Sequence, residues 1–214
     1  MTFDVQFSEH TQKIESVFGD KIVVEDGFEK GKQAEYDRFW DAFQQNGNRT
    51  MYRYAFYSQG SQVWDDNLYN PKYPINATAS DGAGSMFQAS LITDTKVDVA
   101  IGANAQYTFL SCNNLVTIRK LIVTEATTVH AQSFGGCNNL ENITIDGVIA
   151  CNNFNFQWST KLSRASIISI VSHLSTTTSG LSITLSKKAV NNAFTAEKWT
   201  ALEQTRPNWT ISLV

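Results

Sequence analysis

The chain of 214 residues carries little charge. Lys, Arg, Asp and Glu make up 17% of it, against about 25% in an ordinary soluble domain. The formal net charge is −3 and the isoelectric point is near 5.6. No segment is a basic stripe, so the electrostatic footprint of a nucleic-acid binder is missing. Histidine is scarce as well. His10, His130 and His173 stand far apart, with no partner at metal-ligand spacing. Three cysteines cannot all pair within one chain and none forms C-x-x-C, which argues against a disulfide framework. No apolar run approaches the roughly 18–20 residues that span a bilayer. The opening MTFDVQFSEHTQKIE has neither the basic nor the apolar region of a signal peptide. There is no G-x-G-x-x-G, P-loop, nucleophile elbow or H-E-x-x-H, so no cofactor, metal or catalytic activity is expected.

The polarity comes from neutral residues instead: 17 Asn, 19 Ser and 21 Thr. Hydrophobic residues make up 42%, enough for a sizeable core. The charge is also uneven, because residues 1–75 hold 20 of the 37 charged residues. That split suggests two architectural zones.

The second zone repeats itself. FLSCNNLVTI at 109–118 matches FGGCNNLENI at 134–143, and every matched pair keeps the same offset. The pairs are Phe109 and Phe134, Cys112 and Cys137, Asn113 and Asn138, Asn114 and Asn139, Leu115 and Leu140, Ile118 and Ile143. A weaker echo in FQWSTKL keeps the Phe-to-Leu spacing at Phe156 and Leu162, and Phe87 precedes Phe109 by a similar interval. A further CNNF at Cys151–Phe154 is too close to its predecessor for a full coil and reads as drift. A period of about 20–29 residues with Leu, Ile and Cys-Asn is that of leucine-rich repeats, in which each coil buries its apolar face only against its neighbours. The recurrent cysteines fit a buried ladder better than nucleophiles or ligands.

This F-x-x-C-x-x-L-x-x-I pattern resembles the BspA-like leucine-rich repeats of bacterial surface proteins, over about residues 85–162. The chain departs from that family's pattern where a Pro usually follows the strand, since Ile143-Thr144-Ile145 leads into Asp146-Gly147. The tail is similar to C-terminal segments of BspA-like proteins encoded in gut-bacterial and prophage genomes, and YDRFWDAFQQNGNR resembles N-terminal segments of the same group. The resemblance implies a short right-handed α/β solenoid, adhesion or protein recognition, and a cell-surface, extracellular or virion-associated setting.

Along the chain, Phe3, Val5 and Phe7 alternate as a strand, and Ile22–Val24 is a second candidate. An amphipathic helix is expected over 29–45, with Tyr36, Phe39, Trp40 and Phe43 on one face and Gly47 as its C-cap. An extended aromatic segment follows. Residues 1–85 read as an N-terminal α+β cap, 86–162 as the repeats, and 163–214 as a repeat-like C-terminal cap with helical returns. In that tail a helix is expected from a Ser163 or Ser166 cap through Leu174, then helices over 187–194 and 196–205, with Pro207 as the stop. About five parallel strands, near 97–101, 117–123, 143–149, 181–185 and 209–213, would share one sheet.

Strands send alternate side chains outward. Asp98, Lys120, Asn142, Thr144, Ser182, Thr184, Thr210 and Ser212 would line the open face as a neutral recognition surface. At Lys120 the alternation conflicts with Leu121 and Val123, which fit the opposite register. Tyr52, Tyr54, Tyr57, Trp64, Tyr69 and Tyr73 are expected to pack against the first coil, with a candidate aromatic contact patch as the alternative. The carboxylate pairs Glu25-Asp26 and Asp65-Asp66 sit beside turn signals and read as solvated loops. The expectation is a non-catalytic module that binds a protein or glycan through the repeat face. The alternative is a structural or receptor-binding part of a phage or prophage tail. A carbohydrate-active enzyme has only aromatics and scattered acids in its favour.

Overall fold

A computed structural model describes residues 6–7, 14–15, 55–58, 64–67, 69–71, 73–78 and 83–214. The expected helix over 29–45, the candidate strand at 22–24, and Tyr52 and Tyr54 lie outside the described residues. Two short strands, β1 (Gln6–Phe7) and β2 (Ile14–Glu15), pair antiparallel.

Seven further strands are all parallel to their neighbours, and they form two sheets. The first runs β3 (Ile75–Ala77), β4 (Asp98–Ile101), β5 (Thr117–Val123), β6 (Asn142–Gly147). The second runs β7 (Asn155–Phe156), β8 (Leu181–Leu185), β9 (Trp209–Leu213). The five strands expected in one sheet are therefore divided, three in the first sheet and two in the second. In the first sheet Ile75, Val99, Leu121 and Ile145 stand in register, one from each successive strand.

The division has a visible cause. Helix α1 (Arg164–Ser172) takes the place beside β6 that another strand would occupy. The Ile143 N–H donates to Ser166 Oγ at 2.9 Å, and the Ile145 N–H donates to Ser169 Oγ at 2.8 Å. Two serines one helical turn apart thus satisfy two outward N–H groups of β6 and close that edge. Ser163 is the N-cap, its hydroxyl accepting the Ser166 N–H at 3.2 Å. The chain then continues through β8, α2 (Lys187–Ala193), α3 (Ala196–Glu203) and β9, the two helices capped by Ser186 and Thr195.

Between the first-sheet strands the chain returns through tight turns. Phe87, Phe109 and Phe134 form a stacked column, with centroids 5.1 and 5.7 Å apart, and Phe154 and Phe156 both lie against Phe134. The same turn recurs at each: Ser90 N–H to Phe87 O, Cys112 N–H to Phe109 O, Cys137 N–H to Phe134 O and Ser159 N–H to Phe156 O, at 3.0–3.3 Å. Cys112 and Cys137 are fully buried, and their thiols donate to the carbonyls of Phe87 and Phe109 at 2.8 and 3.1 Å.

All ten buried polar residues among those described are Ser or Thr, none an amide or a charged residue. Thr108 Oγ1 donates to Ala83 O, Thr127 Oγ1 to Ile101 O and Ser133 Oγ to Ala105 O, each reaching a segment 25–28 residues earlier at 2.8–3.0 Å. A hydroxyl is small, neutral and cheap to desolvate once bonded. That use accounts for part of the neutral polarity of the sequence. Asn139 adds one amide bond between successive turns, from Nδ2 to Asn113 O at 2.7 Å, while Asn113, Asn114 and Asn138 are exposed.

One buried hydroxyl breaks the pattern. Ser159 Oγ has no hydrogen-bond partner among the described residues. It occupies the place held by Cys112 and Cys137 in the preceding turns, and a thiol is the less polar group. Ser159→Cys is therefore expected to raise stability by about 1 kcal/mol, read as a higher urea midpoint with unchanged slope; a lowered midpoint would refute the equivalence of the three turns.

Candidate functional site

The outward side of the first sheet carries a set of charged groups placed by the strand register. Lys120 stands opposite Asp98, with Nζ 3.3 Å from its carboxylate and 3.9 Å from that of Asp146 on the next strand. One lysine thus bridges three strands. Arg119 makes a fork with Asp94 through Nε and Nη2, at 2.9–3.2 Å. That hydrogen bonding raises the Arg119 pKa above its ordinary value. Asn142 and Thr144 are exposed on β6 beside this network, and Asn142 is in register with Thr117.

The register conflict at Lys120 is resolved by an irregularity between Ile118 and Leu121, where β5 slips against β6. Arg119 and Lys120 both point away from the core there, so Ile118, Leu121 and Val123 are all buried. Sequence reasoning did not single out Arg119, Asp94 or Asp146. The signal that was available is the Arg-Lys doublet itself, two charges in a row inside an otherwise apolar strand.

The other four predicted face residues lie on the second sheet. Ser182 is opposite Thr210, and Thr184 is opposite Ser212. Ser182 is tied to Asn152, whose Oδ1 accepts its N–H at 2.8 Å. The eight residues therefore form two groups of four: Asp98, Lys120, Asn142 and Thr144 on one sheet, Ser182, Thr184, Thr210 and Ser212 on the other.

Of the aromatic segment, Trp64 and Tyr69 belong to the core and not to a contact patch. Trp64 and Tyr69 are fully buried, and both pack edge-on against Phe56, with centroids 5.2 and 5.1 Å away. Phe56 in turn stacks on Phe87, which puts these rings at the head of the phenylalanine column. The Tyr69 hydroxyl donates to Thr95 O at 2.8 Å, and burial pushes its pKa well up. Rings of this size gain most by desolvation when their polar tip finds a partner. Neither is available to a ligand. Tyr57 is half-buried and Tyr73 is exposed.

The remaining reactive groups are engaged in the fold. Burial pushes the Cys112 thiol up to about 12 and the Cys151 thiol up to about 11, and raises Cys137 as well. All three therefore stay protonated at neutral pH, the reverse of an activated nucleophile. Asp66 accepts the N–H and hydroxyl of Thr93 at 2.9 and 2.6 Å, and Asp65 accepts the N–H of Asn67 at 2.9 Å. That pair thus ties local backbone together. His130 lies tilted against Tyr107, and His173 caps α1 with Nδ1 against Ser169 O. Among the described residues no three His, Cys, Asp or Glu side chains are grouped to hold a metal, and no helix is long and apolar enough to cross a membrane. In comparisons with known proteins, no family model, no curated protein and no solved structure matches the chain.

Proposed function

We propose that the chain is a non-catalytic binding module that recognises a protein or glycan through the outward side of its first sheet. The observation that carries this is the three-strand network of Asp98, Lys120 and Asp146, flanked by exposed Asn142 and Thr144. Parallel strands in fixed register hold these groups on backbone that is itself tied to the core. Little conformational entropy is then lost when a ligand settles on them. The BspA-like character of the repeats supports the same reading and suggests display on a bacterial cell surface or a virion.

The test is a screen of glycan arrays and host-surface proteins, followed by substitution. Asn142→Arg with Thr144→Arg, both at exposed positions, should weaken the ligand found at least about tenfold. Ser182→Arg on the other sheet should leave it unchanged. A first-sheet variant that binds as tightly as the wild type would remove this face from the proposal, and a screen without any ligand would count against binding altogether.

A further inference from the structure

The two sheets end differently. The outer edge of β6 is closed by Ser166 and Ser169, but β9 pairs with β8 alone among the described strands. The parity of β9 follows from the bonds of Val214, whose N–H donates to Leu185 O and whose carbonyl accepts the Lys187 N–H. Even-numbered residues of this strand therefore face β8. The N–H and C=O groups of Ile211 and Leu213 face the open edge.

Strand edges of this kind are usually blunted by a charge, a proline or a bulge. The stretch from Asn208 to Leu213 has none of these. Moreover, Trp209-Thr210-Ile211-Ser212-Leu213 alternates apolar and hydroxyl residues symmetrically about Ile211. Thr210 and Ser212 are exposed on one side, while Trp209, Ile211 and Leu213 are wholly or half buried on the other. Read in either direction, the strand presents the same pattern.

We infer that β9 pairs with β9 of a second copy of this chain, antiparallel about a two-fold axis through Ile211. In that register the two Ile211 residues exchange N–H and C=O groups. Each Leu213 N–H meets the partner's Trp209 carbonyl, while the Trp209 N–H stays with Arg206 O at 3.0 Å. Thr210 lies opposite the partner's Ser212, hydroxyl to hydroxyl, and Trp209 lies opposite the partner's Leu213 on the apolar side. An isologous contact needs this kind of self-complementarity, and an uncharged strand supplies it without like-charge repulsion. The two second sheets become one continuous sheet, and the first-sheet faces remain free on each copy.

Sedimentation velocity on the full chain tests this. The wild type should sediment as a dimer by about 100 μM, a concentration at which even a weak contact is populated. The double variant Thr210→Lys with Ser212→Lys places lysines opposite lysines at exposed positions. It should run as a monomer while its thermal melt keeps the cooperativity of the folded chain. Thr210→Glu with Ser212→Glu should also be monomeric alone, and mixing the two variants should restore the dimer. A wild type that stays monomeric, a lysine variant that stays dimeric, or a mixture that fails to associate would each overturn the inference. None of these readings depends on the ligand of the first sheet.

Discussion

Phe109→Ala is expected to cost about 3–5 kcal/mol of folding stability. The ring is fully buried and lies between Phe87 and Phe134, nearly parallel to the first at 5° and tilted 22° from the second. The cost of such a truncation depends on whether neighbours can move in. Here they are held from both sides by backbone bonds between successive turns: Phe87 N–H to Thr108 O at 2.8 Å, and Phe109 N–H to Ser133 O at 2.8 Å. The cavity therefore stays open, and the loss lies toward the upper end of that range. Val148→Ala, at a side chain that is half exposed, serves as the control and should change stability by less than about 0.5 kcal/mol. Urea unfolding of both variants reads the difference. A Phe109→Ala loss below about 1.5 kcal/mol would mean that the column relaxes and does not act as a rigid stack.

The stack was the legible part of the molecule. Phe109, Cys112, Leu115 and Ile118 recur as Phe134, Cys137, Leu140 and Ile143, and repetition at a fixed offset marks positions that meet the same neighbours. The structure buries all of them. The interruption after β6 left no comparable mark. Ser166 and Ser169 look in sequence like ordinary residues of an amphipathic helix, and their role as acceptors for β6 exists only once that helix lies against the strand. The alternation in β8 and β9 is likewise the same whichever sheet they join, so five similar patterns read as one sheet. In the aromatic segment packing is the favoured reading, but its partners are not legible. Trp64 and Tyr69 lack helical or strand spacing because they pack from an irregular segment, and the Tyr69 hydroxyl finds its partner far along the chain, at Thr95 O. The candidate face was legible residue by residue along each strand. The cross-strand lysine network and the split into two groups depend on register, which a single strand does not encode.

Gly147→Ala should be the other severe substitution, with an expected loss of about 3 kcal/mol or more. Gly147 ends β6 opposite Val123, where the chain runs Ile145-Asp146-Gly147. Its φ of +85° lies in the left-handed region that favours glycine. A Cβ built there falls far inside van der Waals contact of the Val123 carbonyl oxygen, a backbone atom that cannot swing aside. Two costs are therefore superposed, one of conformation and one of contact. Gly180 separates them. It has φ of +75°, but a Cβ there meets nothing within 4 Å. Gly180→Ala should then show the conformational cost alone, about 1 kcal/mol. The excess at Gly147 measures the close approach of β5 and β6 where the chain leaves the first sheet. Equal losses at the two glycines would show that the strands can separate at that corner.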